Sequence, residues 1–144
     1  MKRSDLDEVM AIETLSFSHP WHETTFQGEI QNEGISFPLV AVHRALGRIV
    51  GYVLYWKIRD DVQINNIAVH PDFRRTGIGE AMLRDVLLRT KIEGAVFVSL
   101  EVRVSNAAAR TLYEKYGFKP LAVRKDYYTH PDEDAVVMGL DLKD

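Results

Sequence analysis

The chain has 144 residues, 46% of them hydrophobic and 27% charged, with 18 basic residues against 21 acidic ones and a formal charge of −3. That size and balance predict one domain, residues 1–144, with a full core, and they exclude a disordered chain, a collagen-like repeat and a coiled coil. No basic surface for nucleic acid and no membrane patch is expected, because the charges balance and the longest apolar stretch, about residues 49–56, is far short of the ~20 residues of a spanning helix.

The N-terminal residues MKRSDLDE are charged and do not form a signal-peptide pattern, so a cytoplasmic chain is expected. Ser4 followed by Asp7 reads as a helix start, with Leu6, Val9, Met10 and Ile12 as the apolar face behind it. His19-Pro20 then His22 reads as a loop; two histidines are too few ligands for a closed zinc site, and no metal is expected. A short helix is predicted over 23–32, with Phe26 and Ile30 on one face. Strands are predicted at 39–43 and 49–59, joined by a turn at Gly47. The second is apolar on both faces and belongs in the sheet interior. Asp60-Asp61 reads as a turn.

The next strand, 62–70, is irregular. Val62 and Ile64 are apolar at even positions, Ile67 and Val69 at odd ones, so the alternation slips by one at Asn65-Asn66. A slip of one residue turns side chains to the wrong face unless a β-bulge absorbs it. The spacing therefore predicts a bulge there, the alternative being two polar residues at an exposed position. A turn at His70-Pro71-Asp72 leads into Arg74, Arg75, Thr76, Gly77, Ile78 and Gly79, then a helix to about Ile92 that Gly94 ends. A clean strand follows over 96–104, with Val96, Val98, Leu100, Val102 and Val104 on one face and Phe97, Ser99, Glu101 and Arg103 on the other. Ser105 or Asn106 caps a helix to Tyr116 that Gly117 stops. The tail reads as strands at 118–125 and 135–142, joined by a polar, tyrosine-containing loop. Cysteine is absent, which excludes disulfides and a thiol nucleophile.

Three features carry candidate chemistry. Two arginines and two glycines between a strand and a helix N-terminus suit an anion: the glycines let backbone N–H groups approach it and the helix dipole favours negative charge. The segment lacks the Lys-Ser/Thr of a P-loop and the glycine spacing of dinucleotide folds, and a plain glycine turn stays open as its reading. Asn106 and Tyr113, seven apart, share a helix face about 10 Å apart along the axis; Tyr113 points inward, where its hydroxyl needs a partner, as any core tyrosine does. Glu101 lies on the polar side of its strand, which also fits a solvated surface residue.

The order of these features resembles the GNAT superfamily of acetyl-CoA-dependent N-acetyltransferases. Asn66-Ile67-Ala68-Val69-His70-Pro71 and Arg74-Arg75-Thr76-Gly77-Ile78-Gly79 are similar to its acetyl-CoA motif. Leu100-Glu101-Val102-Arg103, Ser105-Asn106-Ala107-Ala108-Ala109, Leu112-Tyr113-Glu114, Phe17-Ser18-His19-Pro20-Trp21, Tyr127-Tyr128 and Glu133-Asp134-Ala135 resemble the RimI-type protein N-α-acetyltransferases. The resemblance implies an α/β GNAT fold: a mixed, mostly antiparallel sheet of about six strands, about four helices and a central β-bulge. It implies transfer of acetyl from acetyl-CoA, as cosubstrate and without a metal, to a protein N-terminus. RimI-type enzymes act on the N-terminal alanine of a small-subunit ribosomal protein, and some on other N-termini.

Residue by residue, the resemblance implies that Ile67, Ala68 and Val69 pair with the pantetheine arm. Arg74, Arg75, Thr76, Gly77, Ile78, Gly79 and Glu80 form the pyrophosphate cradle. Asn106 bonds the pantetheine, Glu101 is the base and Tyr113 the acid. Phe17, Trp21, Tyr127 and Tyr128 grip the peptide N-terminus. Two departures stand out. Glu80 occupies a position where the family often has a basic residue, so backbone alone is expected from it; and the usual first strand looks clipped or very short. Three other readings remain: a GNAT acting on a lysine or small amine, a non-catalytic acyl-CoA-binding module, and a generic phosphate-binding α/β domain. No oligomeric state follows from the sequence.

Overall fold

A computed structural model describes residues 1–143. Among them, a 3-10 turn (Arg3–Asp5) leads into α1 (Leu6–Ser16), followed by α2 (Glu23–Gln31), β1 (Ser36–His43), β2 (Arg48–Ile58) and β3 (Asp61–Val69). A 3-10 turn at Pro71–Phe73 precedes α3 (Ile78–Ile92), then β4 (Phe97–Arg103), α4 (Ala107–Lys115), β5 (Lys119–Tyr128) and β6 (Glu133–Asp141). The six strands form one sheet in the order β1-β2-β3-β4-β6-β5, antiparallel throughout except for the β3–β4 pair. That parallel pair needs a crossover, which α3 supplies. No helix among the described residues is long and apolar enough to cross a membrane.

β2 shows why its sequence is apolar on both faces. Tyr52 and Leu54 join Leu6, Val9, Ile12 and Phe26 under α1 and α2. Val53 and Tyr55 join the opposite core with Met82, Leu83, Val86, Val98, Leu100, Val102 and Tyr113 under α3 and α4. The strand is interior, paired on both sides, with β1 at the edge.

The predicted bulge is present. Leu54 faces Asn66 and Tyr55 faces Ile64, leaving Asn65 as the extra residue. In consequence Ile64, Ile67 and Val69 all pack on the α3 side, while Ala68 packs under α1. Turning Ile67 and Val69 to the wrong face would forfeit up to about 3 kcal/mol each. A lost ladder hydrogen bond costs about 0.5–1.5 kcal/mol, so the bulge is the cheaper solution.

Four expectations shift. Ser4 is not the cap of α1: it lies inside the 3-10 turn, and the first residue before the helix is Asp5, whose Oδ2 accepts from Lys2 N at 2.7 Å. β1 starts at Ser36 rather than at 39, because an edge strand tolerates Pro38 and Phe37 stacks on Tyr55 at 5.1 Å. The turn before β3 is made at Arg59, with φ +57°, and Asp61 already pairs. Tyr127 and Tyr128 belong to β5 rather than to a loop; the register breaks between Arg124 and Tyr128, where Asp126 has φ +53°, and Tyr128 pairs again with Glu133. No strand precedes α1 among the described residues, where a clipped or very short one is expected.

Candidate active site

The site starts where the sheet opens. β3 and β4 pair only from Asp61–Phe97 to Ile64–Leu100. Beyond the bulge the strands part, with Ile67, Ala68 and Val69 on one side and Glu101 on the other. Ile67, Ala68 and Val69 face Val53, Tyr52 and Gly51 across β2, and their other edge carries no strand. An unpaired strand edge is a row of backbone donors and acceptors available to an extended ligand.

The glycine segment closes one end of this opening. Arg75 and Gly77 have φ of +62° and +86°, and Gly77 precedes α3 without offering a side-chain cap. The first N–H groups of α3 at Ile78, Gly79 and Glu80 therefore lack intrahelical partners. A Cβ built on Gly77 would meet no protein atom within 4 Å, so the space before the helix is open. Arg74 reaches back, with Nε on Val69 O at 3.1 Å and a terminal nitrogen on Ser16 Oγ at 3.1 Å. The Thr76 hydroxyl donates to Phe73 O. These bonds brace the loop from inside, and Arg75 stays exposed on its outer side. The carboxylate of Glu80 is turned aside: it accepts from Lys115 Nζ at 3.0 Å and from the Tyr116 hydroxyl at 2.8 Å, and these bonds hold it below the usual carboxylate range.

Opposite the open edge lies a cluster of side chains. Glu101 is 15% exposed, which removes the solvated-surface reading, and Arg124 Nε lies 3.2 Å from its Oε1. The Tyr127 hydroxyl bonds the same carboxylate, and that bond is the main reason its pKa is raised. The rings of Tyr127 and Tyr128 meet edge to face at 5.0 Å. Burial, first of all, raises Tyr128; the nearby Tyr127, Glu101 and Tyr113 add to the rise. Tyr113 is 6% exposed, packs on Phe118 at 5.7 Å, and is pushed up to about 12 by burial. Asn106 uses its Oδ1 to cap α4, accepting from Ala109 N at 3.2 Å, and is itself exposed.

The α1–α2 loop meets the β5–β6 turn. The Ser18 hydroxyl donates to His130 O, and the His19 and His130 rings lie 5.3 Å apart. Trp21 packs against Phe26 at 5.3 Å, while Phe17 is 37% exposed at the end of α1. Arg103 organises the β5–β6 turn. It donates to Thr129 O at 3.1 Å, to Pro131 O at 3.0 Å and to Glu133 Oε1 at 3.2 Å, with its guanidinium 4.5 Å over the Tyr128 ring.

Tyr113, Glu101, Tyr127 and Tyr128 are thus brought together, and residues 67–69 lie on the other strand of the split β3–β4 pair, continuous with the segment 74–80. Sequence reasoning assigned no role to Glu13 or Arg124 and none to Arg103 beyond its motif. Glu13 had one visible signal: it falls seven residues after Leu6 and four after Val9, on the buried stripe of α1. Arg124 had none, because its link to Glu101 crosses from β5 to β4.

The chain matches the acetyltransferase (GNAT) family over residues 6–118. A relative from Bacillus subtilis is 38% identical over 144 residues, covering 100% of this chain and 94% of its own. The [ribosomal protein bS18]-alanine N-acetyltransferase of Escherichia coli K12 is 33% identical, covering 99% of this chain and 95% of its own. The crystal structure of the ribosomal-protein-S18-alanine N-acetyltransferase from Escherichia coli superposes with a TM-score of 0.91 at 32% identity, over 100% of this chain and 92% of that one.

Proposed function

The chain belongs to the GNAT acetyltransferase family, and we propose that it transfers acetyl from acetyl-CoA to the N-terminal α-amine of a protein, an alanine-starting ribosomal protein such as bS18. The observation that carries this reading is the placement of Glu101, with Tyr127, Tyr128 and Tyr113 around it, across from an unpaired strand edge and an uncapped helix N-terminus. The full-length likeness to the bS18-alanine enzyme supports the choice of acceptor. Such an acceptor places the work in the cytoplasm, where ribosomal proteins are made.

The residues present fit acetyl-CoA: a strand edge for an amide-bearing arm and open space before α3 for a pyrophosphate. When bound it supplies an acyl thioester. In this reading Ile67, Ala68 and Val69 hold the pantetheine arm, Asn106 bonds it, and residues 74–80 cradle the pyrophosphate, with backbone N–H groups doing most of the holding. Glu101 accepts the proton of the acceptor amine at its carboxylate, directly or through a water. Tyr113 donates from its hydroxyl to the departing sulfur. At about 12 its pKa lies well above the ~8.5 of an ordinary thiol, so complete transfer is uphill by roughly 5 kcal/mol. Tyr113 therefore acts chiefly as a hydrogen-bond donor to developing charge. Phe17, Trp21, Tyr127 and Tyr128 frame the slot for the peptide N-terminus.

The amine chemistry favours the N-terminus. An α-amine of pKa about 7.7–8.0 is roughly a third neutral at pH 7.5, whereas a lysine near 10.4 is neutral about one part in a thousand. That difference amounts to about 3–4 kcal/mol of deprotonation. A peptide beginning with Ala or Ser should be acetylated, and the same peptide N-blocked with an internal Lys much less so. Mass spectrometry finding the label mainly on the ε-amine would reassign the acceptor within the same family.

A further inference from the structure

We infer that Glu13 is a positioning residue for the transfer: its buried carboxylate locks the acceptor loop to the bulged strand. This inference rests on the acetyltransferase reading. Glu13 projects from α1 and is 1% exposed. Its Oε2 accepts from Trp21 N at 2.8 Å. Its Oε1 accepts from Asn66 Nδ2 at 2.9 Å and from the Tyr52 hydroxyl. Trp21 belongs to the loop that frames the peptide slot. Asn66 lies between the extra residue of the bulge and the open edge at residues 67–69. One carboxylate therefore spans the two walls that must be held in register for an amine to meet a thioester.

A core position alone does not call for this group. Removing a carboxylate from water is costly, and an apolar residue of similar volume is often as stabilising. The neighbours on the same stripe, Val9 and Ile12, are apolar and fully buried. Glu13 differs in that two of its three donors come from site segments rather than from the core. Misplacement of a reacting group by about 1 Å can cost on the order of 10²-fold in rate, so a bond that fixes the loop acts on the reaction without touching it.

The test compares Glu13→Met with Glu13→Gln. Met matches the length and packs in the core but accepts no backbone hydrogen bond of comparable strength. Gln keeps its carbonyl on Trp21 N, while its NH2 donates to a turned-over Asn66 amide and to the Tyr52 oxygen. For Glu13→Met, the KM for an Ala-starting peptide should rise at least tenfold. Its acetyl-CoA affinity by calorimetry should stay within twofold, and amide exchange at Trp21 should quicken while α1 stays protected. Glu13→Gln should restore KM to within threefold and keep Trp21 protected. An unchanged KM with Trp21 still protected in Glu13→Met would overturn the inference. So would loss of protection along α1 together with weaker acetyl-CoA binding, the mark of a purely structural role. The expected exchange pattern in a protein that acetylates no N-terminal peptide would support the lock and refute the choice of acceptor.

Discussion

On the α3 side of the opening, what lies open is backbone: the strand edge at 67–69 and the first N–H groups of α3, from one continuous run, residues 67–80. On the Glu101 side it is side chains gathered from β4, α4, β5 and the α1–α2 loop, held by Arg124, Arg103 and Glu13. Backbone donors are present whatever the side chains are, provided the chain can take the required φ. Side-chain clusters depend on every partner being in place. The cosubstrate wall should therefore tolerate most substitutions except at its positive-φ glycine, while the acceptor wall should fail at single side chains.

The largest effect expected on this contrast is at Glu101. Glu101→Gln removes the proposed proton acceptor and weakens the contact with Arg124, and should lower kcat/KM by about 10²–10⁴-fold. Its acetyl-CoA affinity should stay within twofold, because nothing in the backbone wall depends on it. A parallel loss of cosubstrate binding would show that the two walls are not separable.

A smaller effect is expected from Gly77→Val, which tests the other wall. At φ +86° a β-branched residue is strained by about 1–2 kcal/mol or more, and its side chain enters the open space before α3. Acetyl-CoA binding should weaken at least tenfold in a protein that remains folded, with the peptide KM little changed. Calorimetry giving wild-type affinity would remove the cradle from this segment.

Tyr113→Phe should have the mildest effect on turnover, about tenfold in kcat, because a hydroxyl near 12 stabilises charge by hydrogen bonding more than by transfer. A rate within twofold of the parent would make the hydroxyl structural only. The same substitution has a pH signature. Burial raises the folded-state pKa above the ordinary 10, so the hydroxyl's contribution to stability is complete below pH 10 and lost as pH rises to about 12. Tyr113→Phe should lose less stability over that range than the parent, measurable as a higher alkaline unfolding midpoint.

Local pattern made most of the fold and the backbone wall legible. The slip at Asn65-Asn66 predicted the bulge, and the glycines before a 3.6-period stripe predicted α3 and its open N-terminus. The Val98, Leu100 and Val102 alternation predicted β4 and the side on which Glu101 lies. These are properties of consecutive residues, because φ preferences and side-chain periods act within a few positions along the chain. The motif run around Glu101, Asn106 and Tyr113 carried the family in the same way. Tertiary structure alone decided which partners those residues meet: Arg124 on Glu101, Arg103 on the turn beyond Tyr128, Lys115 and Tyr116 on Glu80, and Glu13 between Trp21 and Asn66. Each of these contacts joins segments whose separation in sequence has no fixed relation to their distance in space. For Glu101 with Arg124 and for Arg103 with Thr129, what sets that distance is the strand order β4-β6-β5, which brings residues more than twenty positions apart within hydrogen-bonding reach; for Glu13 and Glu80 it is the packing of α1 against β3 and of α3 beside α4.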